Sequence, residues 1–177
     1  ERLKYPIGFQ DQLVAAYGGI NEYTIDIDGE VDVKPFKINY NQLQKKLVMF
    51  FTGVKRDANE ILGKSTTEGL KDIQRLAYEA KDALKGQNFD KYGHLLHRHW
   101  ELKKKRGEMT SPEIDKYYEL GLKSGALGGK LIGAGGGGML LFYTNDRDNL
   151  INSMPLKHIP FNFEFEGSKI VYRDNEN

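Results

Sequence analysis

The feature that most constrains this chain is its glycine distribution. Nine of the 20 glycines among 177 residues fall between Gly121 and Gly138, and five of them occupy the six positions that begin at Gly133. Each glycine costs about 0.5–1 kcal/mol relative to alanine in ordered structure, so such a run is expected only where the backbone needs positive φ or close approach. The run therefore predicts either a tight turn packed against a neighbouring element or a cradle for a phosphate group.

The glycine run does not match the common nucleotide motifs. No Gly-Lys-Ser/Thr sequence follows it, and the pattern before it favours a helix rather than a strand, so neither a Walker A loop nor a dinucleotide fingerprint is indicated. Lys130 lies just upstream. Its ammonium group is expected either to approach an anion or to be solvated at the edge of a strand.

Composition excludes several classes of protein. The net charge is +1, from 26 basic and 25 acidic side chains, which argues against a nucleic-acid binder and against an electrostatic membrane clamp. No uncharged segment approaches the roughly 20 apolar residues of a membrane-spanning helix. The chain contains no cysteine, which excludes disulfides and thiolate metal sites and fits a cytoplasmic protein.

Hydrophobic periodicity predicts an α+β fold, with strands toward both ends and helices between them. Ser65 and Glu68 have the spacing of a capping box for the longest helix. Asp28 and Gly29 predict the turn of a β-hairpin. The predicted helices cover residues 8–20, 65–85, 89–100, 111–122 and 146–154, and the predicted strands cover residues 23–27, 31–38, 47–52, 139–144, 159–165 and 169–173.

Three other segments carry groups that could act chemically. Asp11 lies in the first turn of a predicted helix, where the dipole stabilises a carboxylate that accepts a proton or merely caps the helix. Arg56 follows the turn at Gly53 and suits either a bound phosphate or an exposed basic turn. A metal site is disfavoured because the three nearby histidines lack the His-Glu-x-x-His pattern; they are His94, His97 and His99.

Two features near these histidines have structural explanations. Trp100 is expected to belong to the core or to a pocket wall. The basic run at residues 103–106 falls near a predicted helix end, where cations complement the helix dipole, so a solvated face explains it.

Three motifs taken in series resemble the GHMP small-molecule kinases. They are the stretch at residues 8–19 (GFQDQLVAAYGG), the segment Phe51-Thr52-Gly53 with Arg56, and the stretch at residues 129–138 (GKLIGAGGGG). Within that superfamily the chain is most similar to the D-glycero-D-manno-heptose 7-phosphate kinases, because QDQ…AAYGG, HWELKKK and GALGGKLIGAGGGG occur there together. The resemblance extends over essentially all 177 residues.

The resemblance implies roles for individual residues. Asp11 would orient or deprotonate the acceptor hydroxyl, and Arg56 would bind the phosphate already carried by the sugar. The remaining sugar-pocket residues implied are Gln10, Gln12, Gly18 and Gly19. The glycine segment would pack beside the nucleotide phosphate loop; the residues implied there are Lys130, Gly133, Gly135, Gly136, Gly137 and Gly138.

The resemblance also implies an architecture and a reaction. Residues 1–46 would complete an N-terminal domain similar to ribosomal protein S5 domain 2, and residues 47–177 would form a ferredoxin-like C-terminal domain, with the active site between the two. The reaction implied is transfer of the γ-phosphoryl group of ATP, with Mg²⁺, to the anomeric hydroxyl of D-glycero-D-manno-heptose 7-phosphate.

The family's ATP phosphate loop, Pro-x-x-x-Gly-Leu-Gly-Ser-Ser, does not occur in the sequence, and no metal ligand is assigned to this chain. The first residue is Glu rather than Met, so the chain is expected to be the downstream half of a kinase and inactive alone, with the N-terminal half as its partner. Two alternatives stay open: another sugar kinase of the fucose or galactose type, and a catalytically silent relative that binds a metabolite.

Overall fold

The chain folds into two compact units. The computed structural model describes residues 10–54, 66–107, 109–133 and 136–172. The larger unit extends from Ile38 to Phe161, and the smaller unit combines residues 10–37 with residues 162–172. These units divide the chain at Lys37 rather than at residue 46, and the domain boundary implied by the resemblance stays a prediction.

A four-stranded antiparallel sheet organises the larger unit, with strand order β4-β5-β3-β6. Its elements are α2 (Tyr40–Lys46), β3 (Leu47–Phe51), α3 (Leu70–Lys85), α4 (Phe89–Lys104), α5 (Pro112–Lys123), β4 (Ala126–Leu131), β5 (Met139–Thr144), α6 (Arg147–Ser153) and β6 (Lys157–His158). Helices separate β3 from β4 and β5 from β6, whereas β4 and β5 form a hairpin. This β-α-β-β-α-β order is the ferredoxin-like pattern, and it confirms the α+β class.

The core of the larger unit lies between the sheet and its helices. Phe50 of β3 and Phe142 of β5 are fully buried, with their rings in edge-to-face contact at 6.2 Å. Trp100 of α4 is also fully buried in this cluster, which confirms its expected place in the core. Ile114 of α5 and Leu150 of α6 complete the layer from the other helices.

Glycines let α4 approach the sheet. A Cβ on Gly128 would lie 2.1 Å from the carbonyl oxygen of Gly93, and a Cβ on Gly93 would lie 2.5 Å from the Tyr143 ring. A Cβ on Gly129 would lie 2.4 Å from the carbonyl oxygen of Leu141. The first part of the glycine cluster therefore serves close packing, because any side chain would push helix and strand apart.

The smaller unit contains one helix and one hairpin. Helix α1 (Gln10–Tyr17) is followed by β1 (Asn21–Ile25) and β2 (Val31–Pro35). The strands pair antiparallel from Asn21 opposite Pro35 to Ile25 opposite Val31, which confirms the predicted hairpin. Residues 162–172 complete this unit without forming a helix or strand.

Three local predictions were wrong. Helix α3 begins at Leu70 with Gly69 as its N-cap at φ 72°, so Glu68 is not in the third helical position and forms no capping box. The segment before the glycine run is strand β4 rather than a helix. The strand was missed because its sequence is rich in glycine, which has a low β-propensity. Residues 159–165 and 169–172 form no strands; sheet pairing ends where Ile159 donates to Met49, just before Pro160, which has no N–H.

The other predicted elements of the larger unit agree with the structure. The polar stretch at residues 39–46, for which no helix was predicted, forms helix α2, with the Asn39 side chain accepting from the Gln42 amide. Ser111 caps α5 by accepting from the Ile114 amide, and Pro112 follows at the first helical position. The sequence also permits a helix to begin just after Arg56, but that segment lies outside the described residues. Among the described helices, none has both the length and the apolar character needed to cross a membrane.

Candidate functional site

The first group of candidate residues lies at the start of α1. Gln10, Asp11 and Gln12 occupy its first turn and are exposed. Asp11 therefore lies beside the backbone N–H groups of the first turn, which have no partners within the helix. An exposed carboxylate there can accept a hydroxyl proton from a bound substrate.

Gly18 and Gly19 follow α1 and have φ values of 63° and 68°. Gly18 is buried, and its carbonyl accepts from the Asn21 side-chain amide at 2.6 Å. A Cβ on Gly18 would lie 2.5 Å from the amide nitrogen of Gly167. Close packing alone therefore requires glycine at position 18.

The second group forms the turn between β4 and β5. Gly133, Gly136 and Gly138 all have positive φ, between 72° and 99°. The Gly136 amide donates to the Met109 carbonyl at 2.9 Å, and the Gly138 amide donates to the Val54 carbonyl at 3.0 Å. These two N–H groups donate to carbonyls of other segments, so Gly136 and Gly138 are anchored to the residues around the turn.

The end of β3 holds the glycine turn from the other side. The Thr52 hydroxyl and the Thr52 amide both donate to the Gly138 carbonyl, each at 2.9 Å. A Cβ on Gly137 would lie 2.4 Å from the Val54 carbonyl oxygen. The motif at residues 51–53 therefore contacts the motif at residues 133–138 directly, through Thr52 and Gly138. The spacing of the two motifs in the sequence could not indicate this contact.

Three cations act electrostatically on His99, and one of them contacts the glycine turn. Lys103 donates to the Gly133 carbonyl at 2.5 Å, and Lys130 lies half-buried on β4. Arg106 donates from Nε to the Thr66 carbonyl at 3.0 Å. Burial first, and then the charges of these three cations, lower the pKa of His99 to about 4, so its imidazole is neutral at physiological pH. The basic run is therefore partly structural rather than simply solvated.

His97 has a structural environment. Its ring stacks on Tyr118 at 5.9 Å, and its Nδ1 lies 3.0 Å from the Tyr118 hydroxyl. Because the Tyr118 hydroxyl donates to the Gly129 carbonyl at 3.1 Å, Nδ1 must carry the proton that it shares with Tyr118. Across the part of the chain that the structure describes, no three His, Asp or Glu side chains are grouped to hold a metal ion.

The candidate residues fall into two groups, one in each compact unit. Those from Gln10 to Gly19 belong to the smaller unit, and those from Lys130 to Gly138 belong to the larger. Arg56 and Gly135 lie outside the described residues. Sequence reasoning missed the part of Val54 and Met109 in holding the glycine turn, because nothing local marks a carbonyl acceptor.

Comparison with known families identifies the larger unit. The family model described as GHMP kinases C terminal matches residues 63–157. That range contains α3 to α5, the β4–β5 hairpin with its glycine turn, and α6.

Individual relatives are kinases. The chain is 31% identical to D-glycero-alpha-D-manno-heptose 7-phosphate kinase of Campylobacter jejuni over 92% of this chain and 53% of that protein. It is 29% identical to the bifunctional fucokinase/GDP-fucose pyrophosphorylase of Arabidopsis thaliana, over 80% of this chain and 15% of that protein. A crystal structure of a D-glycero-D-manno-heptose 1-phosphate kinase from Bacteroides thetaiotaomicron matches with a TM-score of 0.64 and 25% identity, covering 94% of this chain and 50% of that one.

The chain spans about half the length of the heptose kinases that it matches. The matched range begins beyond the smaller unit's helix and hairpin and covers more than half of the residues. The fold, the glycine turn and the family match agree, and the chain belongs to the GHMP kinase family, of which it contains the C-terminal domain.

Proposed function

We propose that this chain is the downstream half of an ATP-dependent sugar kinase, active on D-glycero-D-manno-heptose 7-phosphate. The observation that carries the proposal is 31% identity, over 92% of the chain, to a kinase named for that substrate. The motif at residues 10–19 and the complete glycine run support it, since both are intact. A kinase of this kind would work in the cytoplasm, where ATP is available.

The proposed reaction forms one bond and breaks one bond. The anomeric hydroxyl oxygen attacks the γ-phosphorus of ATP, the bond to the β,γ-bridging oxygen breaks, and ADP leaves. The hydroxyl proton goes to Asp11, an exposed carboxylate in the first turn of α1. Phosphoryl transfer needs mainly alignment and charge neutralisation, so a single well-placed carboxylate is enough on the acceptor side.

The other candidate residues are assigned supporting roles. Gln10, Gln12, Gly18 and Gly19 would line the sugar pocket, and Arg56 would bind the sugar phosphate. The glycine turn and Lys130 would shape the nucleotide side, where hydrogen bonds join Gly136 and Gly138 to neighbouring segments of the larger unit. ATP and Mg²⁺ are the partners that the proposal implies. The described residues offer no ligand cluster for Mg²⁺, so no step is assigned to the ion.

The test is turnover of ATP by the chain joined to its upstream half. The acceptors compared are heptose 7-phosphate, free heptose, fucose, galactose and mevalonate. Heptose 7-phosphate is expected to be preferred, and Asp11→Asn is expected to lower kcat by about 100-fold or more. Asp32→Asn is the matched control, because it removes an exposed carboxylate of the same unit that pairs with Lys34.

The Arg56→Ala variant distinguishes a kinase for phosphorylated sugars from a kinase for neutral sugars. Loss of a charge-assisted partner should raise KM for heptose 7-phosphate much more than KM for a neutral sugar. Preference for fucose or galactose would instead support a second candidate function, that of a fucose or galactose kinase. The observation that favours it is sequence identity to a bifunctional fucokinase and to the galactokinase of Pyrococcus furiosus.

A silent metabolite-binding relative is the remaining alternative. It would bind ATP or a sugar without turnover. Ligand at 100 times Kd should raise the free energy of unfolding by about 2.7 kcal/mol whether or not chemistry follows. Thermal shift measured beside turnover therefore separates binding from catalysis.

A further inference from the structure

The C-terminal end of α1 is closed by a segment that lies about 150 residues away in sequence. The last carbonyl groups of a helix have no partners within the helix. The Ser168 amide donates to the Ala16 carbonyl at 3.2 Å, and the Ser168 hydroxyl donates to the Ala15 carbonyl at 3.0 Å. Ser168 thus satisfies two carbonyls of α1's final turn.

The same segment touches the backbone that follows α1. The Gly19 amide donates to the Glu164 carbonyl at 2.6 Å. Gly167 has φ of 65°, and a Cβ on it would lie 2.3 Å from the Ala16 carbonyl oxygen. The approach is backbone against backbone, so a substitution at Gly167 should displace either the segment or the helix. We call residues 164–168 the tail clamp.

The tail clamp has its own internal order. The Glu164 carboxylate accepts from the amides of Glu166 and Gly167, the latter at 2.8 Å. These hydrogen bonds hold the pKa of Glu164 below its usual range. The turn therefore has hydrogen bonds of its own in addition to those that it makes to the helix.

Helix α1 depends on such supports, because none of its eight residues is buried. On its other side the hairpin supplies Asn21, which donates to the Gly18 carbonyl at 2.6 Å, and the Tyr23 ring, which contacts the Tyr17 ring edge-on at 6.1 Å. The hairpin and the tail clamp therefore both contact the C-terminal end of the helix. An eight-residue helix is only about 12 Å long, so tilting that end moves the first turn as well.

We propose that the tail clamp sets the orientation of α1, and that Gly167 and Ser168 are positioning residues for Asp11. The catalytic part of this inference rests on the proposed function. The clamp itself rests only on the contacts of the smaller unit.

The first experiment measures amide hydrogen exchange in the chain itself. Gly167→Ala is expected to speed exchange of the amides of α1 and of Gly18 and Gly19 by about tenfold or more, while the β3 and β5 amides keep their rates. Gly29→Ala is the matched control, because Gly29 also has positive φ, at 86°, but a Cβ there meets nothing within 4 Å. Unchanged exchange in α1 would overturn the clamp.

A milder pair of variants keeps the test decisive if Gly167→Ala fails to fold. Ser168→Ala removes the hydroxyl that donates to Ala15, whereas Ser168→Thr retains a hydroxyl. Exchange in α1 should rise with Ser168→Ala and return toward the parent with Ser168→Thr. Equal rates in both variants would count against a hydroxyl-dependent clamp.

The second experiment measures kinetics of the chain joined to its upstream half. Gly167→Ala should lower kcat by about tenfold to 100-fold, with KM for ATP nearly unchanged, because a misplaced Asp11 affects chemistry rather than nucleotide binding. Faster exchange with unchanged kcat would overturn the positioning role. If the parent turns over no acceptor, the proposed function and the positioning role both fail, and the exchange data decide the clamp separately.

Discussion

The backbone of Gly128 on β4 meets the backbone of Gly93 on α4, so that a Cβ on Gly128 would lie 2.1 Å from the Gly93 carbonyl oxygen. A backbone carbonyl within a helix cannot rotate away as a side chain can. Helix α4 and strand β4 are therefore fixed at a spacing that only glycine permits. Gly128 does not lie in the left-handed φ region, so the constraint at this position is purely steric.

Gly128→Ala should lower the free energy of unfolding by about 1–3 kcal/mol, as overpacked cores generally do. Urea denaturation measures the change. Gly86→Ala is the control, since Gly86 has φ of −79° and its Cβ would meet only helical carbonyl oxygens, that of Asp82 at 3.3 Å and that of Ala83 at 3.9 Å. Stability equal to the parent in Gly128→Ala would contradict the packing described.

Tyr118→Phe should destabilise the larger unit by about 1–3 kcal/mol, because the buried Gly129 carbonyl loses its donor. Tyr117→Phe is the matched control on the same helix, since its hydroxyl contacts only the exposed Glu113. Nitrogen chemical shifts of His97 should report a proton on Nδ1 in the parent. Finding that proton on Nε2 instead would refute the hydrogen-bond chain.

The free energy of unfolding should decrease as the pH drops from 6.5 toward 4, and His99 sets the limits of this range. The pKa of His99 is lowered from an ordinary 6.5 to about 4 in the folded state. Between these two pH values the unfolded chain is therefore protonated at His99 and the folded chain is not. Stability is therefore full above pH 6.5 and declines by up to about 1.4 kcal/mol per unit as pH falls toward 4. The His99→Gln variant should lose this part of the slope. An identical slope in parent and variant would show that His99 is not responsible.

Thr52→Val should loosen the glycine turn. It removes the hydroxyl that donates to the Gly138 carbonyl and accepts from the Val54 amide, at a cost of about 1 kcal/mol. Exchange of the Gly138 amide should accelerate, since its acceptor is the Val54 carbonyl. Thr52→Ser retains the hydroxyl and should behave like the parent. Exchange of the Gly138 amide at the parent rate in Thr52→Val would mean that the turn does not depend on the Thr52 hydroxyl.

Elements with a strong period were predictable from the sequence. Helix α4, with Phe89, Leu96 and Trp100 on one face, and strand β5, an unbroken apolar run, both lie where expected. The hairpin of the smaller unit was marked by Asp28 and Gly29, whose turn chemistry is local. In each case the information is contained within a few consecutive residues.

Elements defined by contacts distant in sequence were not predictable. Strand β4 looks helical or irregular because its glycines are chosen for packing against α4, not for strand propensity. The alternating aromatics at residues 161–165 imitate a strand, although Pro160 ends the ladder just before them. The partners of Gly18 and Gly138 likewise come from distant segments, and no spacing rule connects Gly18 with Gly167 or Gly138 with Thr52.

The smaller unit is assembled from both sides of the larger one in sequence, with residues 38–161 lying between its parts. During synthesis α1 and the hairpin are made before the larger unit, whereas the tail clamp is made only after it. An unfolded larger unit would leave a long loop to close, whose entropy opposes the contact of Ser168 with Ala15 and Ala16. Folding of the larger unit shortens that loop. Formation of the smaller unit should accordingly be the last and slowest step, which makes α1 a late reporter of complete folding.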